Sequence, residues 1–233
     1  MASASIGQAH RAKTHDGNEV VVKVQHENIR AKIQEDLQVL AGLAGLAERI
    51  PEFAVWRPRE IVNQLSRSLK RELSFSQEQA NLMMLQDALD RFDGVRIPRA
   101  FSSHSSARVL TMSMLTGDSI NHVQDPAKFS YAQREAIAKK IAALYVEMIF
   151  VKGIYHADPH PGNILIEPDG TIGLLDFGMV GRIDDTLREN IEEMLWALSL
   201  KDSPLLTSII KRVGKVPPNI DDSLLSIDIT DLI

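Results

Sequence analysis

The chain has 233 residues and a formal net charge of −5, from 26 basic and 31 acidic residues; 44% of it is hydrophobic and 24% charged. That is enough apolar material for a substantial core and fits one two-lobed domain. No basic field is present for nucleic acid. There is no cysteine, which excludes disulfides, thiolate metal sites and a cysteine nucleophile. No apolar run approaches the roughly 18 residues of a membrane span; the nearest, 142–151, is interrupted by Glu147. Met1 is followed by small polar residues, so no signal peptide is expected. Both ends read as cut, and a piece of a longer protein is expected.

Residues 2–7, Ala2-Ser3-Ala4-Ser5-Ile6-Gly7, are small and read as a flexible loop. The runs 8–13 and 19–25 flank Asp16-Gly17, a hairpin signal. In the second run Val20, Val22 and Val24 face one side, and Val21 and Lys23 the other. A lysine on such a strand is ordinarily solvated, but a kinase-like fold places its phosphate-binding lysine here.

The spacing of Ile29, Ile33, Leu37, Leu40, Leu43 and Ala44 predicts a helix over 27–49, ended by Pro51. A second long helix is predicted over 61–89. It carries Glu72 and Glu78, six residues and so about 600° of helix apart, pointing some 120° away from each other. On that geometry they cannot share a partner, and one of the two can meet Lys23. Strands are predicted over 95–101 and 108–115, then a break at Thr116-Gly117 that would hinge two lobes, 1–116 and 117–233, and whose backbone would meet an adenine ring. A strong helix is predicted over 131–150.

The stretch 153–178, GIYHADPHPGNILIEPDGTIGLLDFG, holds the chemistry. Asp158 and Asn163 sit in a loop stiffened by Pro159 and Pro161. Two short apolar runs around Pro168-Asp169-Gly170 predict a hairpin that returns Asp176 beside Asn163. Oxygen ligands from an Asp and an Asn on adjacent strand ends suit a Mg²⁺ that also contacts phosphate. Asp158 is free to orient or deprotonate an attacking group. The order is that of H-x-D-x-x-x-x-N followed by D-F-G in kinase-like phosphotransferases. His156, at the head of the loop, is expected to anchor it by a hydrogen bond. Asp184 or Asp185 should cap a helix over 186–198, and another helix should start near Ser203 and end before Pro217-Pro218.

The runs ASASIGQAHRA, VVVKVQ, RELSFSQEQAN, HADPHPGN and LLDFG, in this order, resemble the UbiB/ADCK family of atypical kinases, the aarF-domain kinases linked to ubiquinone and isoprenoid-lipid metabolism. The likeness covers about residues 2–200. It implies an α+β, bilobal protein-kinase-like fold, with an antiparallel N-lobe sheet bearing added helices and a mainly helical C-lobe. It implies ATP or ADP and Mg²⁺ as ligands. Ala2, Ser3, Ala4, Ser5, Ile6 and Gly7 match the loop over the phosphates, Lys23 the lysine on the α/β-phosphates, and Glu78 its ion-pair partner. Asp158 matches the catalytic aspartate, Asn163 and Asp176 the metal ligands, and Met114 lies at the nucleotide's hinge contact. The family places an E-x-D pair at the first glutamate, facing a K-x-G-Q extension. Here the D is Ser74, and the extension is absent. The resemblance also implies lipid or quinone precursors as ligands, and membrane association at a cytoplasmic or organellar face through regions outside this chain.

Three rival readings carry less. A protein kinase would need the A-P-E motif and a long activation segment after Asp176-Phe177-Gly178. An aminoglycoside- or choline-type small-molecule kinase lacks the alanine-rich S-I-G-Q loop. A scaffold that binds nucleotide without turnover, and recruits lipid-biosynthesis enzymes, would not require the intact set Lys23, Glu78, Asp158, Asn163 and Asp176.

Overall fold

The structure, a computed structural model, describes residues 2–3, 6–214 and 220–233, and for residues 2 and 3 the backbone alone. It is a mixed α+β chain with an N-terminal antiparallel sheet and a largely helical remainder. The first sheet has the order β1-β2-β3-β5, from β1 (Ala2–Ser3), β2 (Gly7–Lys13), β3 (Glu19–Gln25) and β5 (Val109–Ser113). The β2–β3 register pairs Gly7 with Gln25 and Lys13 with Glu19. The Asp16-Gly17 turn closes it, with Gly17 at φ +86°, where a side chain would be strained. The alternation of β3 puts Val20 in the core at 2% exposure, and Lys23 pairs with Leu110 of β5.

Between β3 and β5 lie helices α1 (Ile29–Ala47), α2 (Pro51–Ala54), α3 (Pro58–Glu72) and α4 (Phe75–Ala88). The single helix expected over 61–89 is two. Ser74 is extended, at φ −116° and ψ 92°, and its Oγ accepts from the Gln77 N–H at 3.3 Å as the cap of α4. The carbonyl of Leu73, at the end of α3, accepts from Gln25 Nε2 at 2.7 Å and Arg30 Nη2 at 2.8 Å. Side-chain donors from elsewhere thus satisfy a carbonyl that a continuous helix would have bonded itself. The strand expected over 95–101 is also shorter. β4 is Val95–Arg96; Pro98 has no N–H to extend a ladder, and Ala100 contributes only an isolated bridge to Met112.

A second sheet runs β4-β9-β8-β6, from β6 (Asp118–Ser119), β8 (Ile164–Ile166) and β9 (Ile172–Leu174) with β4. β8 and β9 form the predicted antiparallel hairpin, and β4 joins β9 in parallel. Helix α5 (Tyr131–Val146) ends in a wide π turn over Glu147–Val151, where the sequence predicts continuous helix to Phe150. Short strands β7 (Ile154–His156) and β10 (Val180–Arg182) pair with each other as a two-stranded sheet.

The chain divides into two compact units, Met1–Leu144 with His156–Val180, and Tyr145–Tyr155 with Gly181–Ile233. The first holds both four-stranded sheets and a core that includes Leu82, Leu85, Leu110, Ile172, Leu174 and Phe177. The second holds α6 (Asp185–Leu200), α7 (Ser203–Val213) and α8 (Asp222–Leu232), packed around Ala197, Leu206, Ile209 and Ile229. Asp184 caps α6, its carboxylate accepting from the Leu187 N–H at 2.8 Å, and Asp202 caps α7 in the same way through Leu205 at 3.0 Å.

Candidate active site

Lys23 is carried to the site by β3 and Glu78 by the first turn of α4. Lys23 Nζ lies 2.5 Å from Glu78 Oε1 and 3.3 Å from Asp176 Oδ2. Glu78 is buried, at 4% exposure, and the same Oε1 accepts from the Phe177 N–H at 3.3 Å. The ion pair is therefore tied directly to the Asp176-Phe177-Gly178 loop. Asn81, one turn further along α4, donates from Nδ2 to the Phe177 carbonyl at 2.8 Å. α4 thus holds the backbone on both sides of Phe177, whose ring is fully buried.

The loop itself is set from its other side by His156. Its buried ring donates from Nε2 to the carbonyls of Asp176 at 2.6 Å and Leu175 at 2.9 Å, and packs edge-on against Phe177. The expected anchoring role is what the geometry shows. Asp176 sits at φ 57°, a left-handed conformation that Asp tolerates better than most residues. Its Oδ1 accepts from the Gly178 N–H at 3.1 Å.

Across the β8–β9 hairpin, Leu175 N–H donates to the Asn163 carbonyl at 2.8 Å, which brings the two expected metal ligands to adjacent strand ends. Asn163 Nδ2 donates to Asp158 Oδ2 at 2.9 Å and to the Asp158 carbonyl at 3.3 Å. That bond fixes the amide so that its oxygen is the end turned away from Asp158. His160 accepts from the Gly162 N–H at 3.0 Å and belongs to the loop's own turn.

The charges answer one another. Burial is the largest influence on Lys23 and opposes its charge, but the carboxylates of Glu78 and Asp176 outweigh it and hold the ammonium above its ordinary value. Burial pushes the Glu78 carboxyl up, with Asp176 adding to the rise and Lys23 opposing it. For Asp176, burial would raise the carboxyl; the Lys23 charge and the Gly178 N–H hold it below the usual range.

A cavity of about 120 Å³ opens on this network, lined among others by Ile6, Gly7, Lys23, Glu72, Glu78 and Asp176. Glu72 is the residue the helical-wheel argument misplaced. The break at Ser74 removes the 120° relation, so Glu72 and Glu78 line one cavity. Burial, then the charges of Asp176, Asp158 and Glu78, push the Glu72 carboxyl up. Gly7 stands where a Cβ would fall 2.5 Å from the Val24 carbonyl oxygen. Ala2 and Ser3, expected in a flexible loop, pair as β1 with Ala9 and Gln8. Ala4 and Ser5 lie outside the described residues. Met114 N–H donates to the Glu19 carbonyl at 3.1 Å, so any contact of Met114 with an adenine would come from its carbonyl or side chain.

Sequence reading overlooked Asn81 and the break at Ser74. The signal for the second was present: Ser74-x-x-Gln77 has the spacing of a capping box. Among the described residues no group of three His, Cys, Asp or Glu is placed to hold a metal, and no helix is long and apolar enough to cross a membrane.

Residues 1–209 match the model of the ABC1 atypical kinase-like domain. A probable protein kinase UbiB of Xylella fastidiosa (strain M23) is 31% identical over 227 residues, covering 94% of this chain and 41% of that protein. AarF domain-containing protein kinase 1 of Xenopus laevis is 31% identical over 221 residues, 92% of this chain and 42% of that protein. The chain thus spans about two fifths of the length of these curated relatives. The solved complex of Rv3197 with erythromycin, from Mycobacterium tuberculosis, superposes with a TM-score of 0.72 at 24% identity, covering 94% of this chain and 55% of that one; it shows a shared fold. On the extent of the domain match and the identity to these relatives, the chain belongs to the family of ABC1 atypical kinase-like domains.

Proposed function

We propose that the chain carries the nucleotide site of a Mg²⁺-dependent phosphotransferase or ATPase of the UbiB type. The observation that carries this reading is Lys23 Nζ held between Glu78 at 2.5 Å and Asp176 at 3.3 Å. A half-buried lysine kept charged by two carboxylates is preorganised to meet phosphate oxygens without reorienting. Lys23 would bind the α/β-phosphates. Asp158, fixed by Asn163, would accept the hydrogen bond of the attacking hydroxyl or water and orient it.

The residues fit a magnesium ion. Asp176 and Asn163 offer hard oxygen donors on adjacent strand ends, and Mg²⁺ ordinarily takes one or two protein carboxylates and completes its shell with phosphate and water. Two donors therefore suffice. Bound there, the ion would supply positive charge against the β- and γ-phosphates. A place in ubiquinone or isoprenoid-lipid biosynthesis, with lipid or quinone precursors as ligands, rests on the resemblance and on the names of the relatives.

The test is thermal unfolding with Mg²⁺-ATP and Mg²⁺-ADP, for this chain and for Asp176→Asn and Lys23→Ala. A ligand at about 100 times its Kd stabilises the fold by roughly 2.7 kcal/mol. A metal-dependent shift that both variants lose supports the site; its absence in folded wild type removes the reading for this chain. The scaffold alternative finds support in Ser74, which stands where the resemblance expects an acid. Hydrolysis measured with a phenolic headgroup separates the two readings. A scaffold binds nucleotide without turnover, and Asp158→Asn changes nothing.

A further inference from the structure

Helix α1 packs on α3, and its buried residues are Leu37 and Ala44. A second apolar stripe runs along its other side. Val39, Leu43 and Leu46 fall, at about 100° per residue, within an arc of roughly 60°, about 140° around the helix from the buried pair. Ile50 extends the stripe past the end of the helix, where the N–H groups of Glu48, Arg49 and Ile50 still bond back to the carbonyls of Ala44, Leu46 and Ala47. The four are 45–63% exposed. Phe53, Val55 and Trp56 follow in the connection to α3, at 54–79%. Together these side chains present on the order of 800 Å². A surface of that size marks a place of contact, and it matches the roughly 800 Å² that each partner of a standard interface buries.

The spacing points to the occupant. Val39, Leu43, Leu46 and Ile50 stand four, three and four residues apart, the alternation of a helix–helix seam. It reads the same from either end. Turned end for end, a second α1 sets its Ile50 against Val39 and its Leu46 against Leu43, so every apolar residue of the stripe meets another. Gly42 flanks the stripe, and nothing lies within 4 Å of the place where a side chain would project from it. A second helix can therefore come close. Antiparallel pairing also sets each helix dipole against its opposite. The nearby arginines are no obstacle: Arg59 is paired with Glu48 and Arg57 with Glu60 inside one copy, so these pairs bring no net charge to the contact.

We propose that two copies of this chain pair through α1, antiparallel, about a two-fold axis that passes between Leu43 and Leu46. Such a contact is isologous, so each substitution in it acts twice. The inference goes beyond the nucleotide reading and is tested without nucleotide, so either can fail alone.

The test is sedimentation velocity of the 233-residue chain from about 1 μM to about 100 μM, across which it should pass from monomer to dimer. Leu43→Glu puts a carboxylate from each copy into the seam. It should raise the dissociation constant about tenfold or more, without moving the melting temperature of the dilute chain, because Leu43 is exposed. The chain has no cysteine, which allows a second, geometric readout. Under mild oxidation an equimolar mixture of Val39→Cys and Ile50→Cys chains should form a disulfide-linked dimer. Either variant alone should form almost none, because its two thiols would lie about 16 Å apart along the seam, beyond the reach of a disulfide. A chain that stays monomeric at the highest concentration overturns the proposal, whatever lipid or protein the face then binds. So does a dimer that Leu43→Glu leaves intact, and so does cross-linking of either cysteine variant with itself. Should Leu43→Glu fail to fold, the cysteine pair decides the matter.

Discussion

Lys23 Nζ and Glu78 Oε1 are 2.5 Å apart across 55 residues of chain, and that one carboxylate oxygen also receives the N–H of Phe177. Strand β3, helix α4 and the Asp176-Phe177-Gly178 loop therefore meet at a single atom. The ion pair thus shares with Asn81 and His156 the holding of the loop, and with it of Asp176.

Removing one partner of this pair should cost more than removing both. Glu78→Ala leaves a half-buried ammonium with Asp176 alone and is expected to destabilise the fold by about 2 kcal/mol, below the cost for a fully buried pair. The double variant Lys23→Met with Glu78→Leu should recover part of that loss. Urea unfolding of the two single variants and the double variant gives the coupling energy directly. Additive losses would show that the pair does not hold α4 to β3.

The pair also sets a dependence on alkaline pH. The folded pKa of Lys23 is raised, so its contribution to stability is complete below the ordinary lysine value and is lost as the pH rises through the folded one. From about pH 10.4, the ordinary lysine value, upward, wild type should lose stability more steeply than Lys23→Met. Other lysines and tyrosines titrate in both proteins and cancel in the difference. Parallel pH profiles would refute the assignment.

Ser74→Ala should cost about 1 kcal/mol, the ordinary loss of an N-cap. Ser74→Asp, which caps equally well, should restore it. Equal melting temperatures for all three would mean that the α3–α4 break rests on the bonds to the Leu73 carbonyl alone.

Asn81→Leu leaves the carbonyl of buried Phe177 without its side-chain donor and should cost about 1–3 kcal/mol. The same variant should weaken any Mg²⁺-dependent stabilisation by nucleotide more than Gln79→Ala, whose partner is the exposed Ser102. Equal nucleotide-dependent shifts in the two variants would remove Asn81 from the positioning of Asp176.

What the sequence determined by itself was the local part. The β2–β3 hairpin, the β8–β9 hairpin and the Asp158–Asn163 neighbourhood lie within a few residues of the turns that make them, so Asp16-Gly17, Pro168-Asp169-Gly170 and the prolines of the loop sufficed. The runs ASASIGQAHRA, VVVKVQ, RELSFSQEQAN, HADPHPGN and LLDFG, in that order, also pointed to the family. The tertiary structure alone decided where α3 stops. Leu65, Leu69, Leu73 and Ala80 keep a helical period across the break, and only the donors Gln25 and Arg30, 48 and 43 residues away, reveal why the carbonyl of Leu73 leaves the ladder. Periodicity reports which face of a helix is apolar. It does not report that a distant side chain will offer a backbone group a better partner. The same limit hid Asn81, whose only sign in the sequence is a polar residue beside Leu82 in an otherwise ordinary helix. It also explains why Glu72 and Glu78, assigned to different directions on one ideal helix, line one cavity on two.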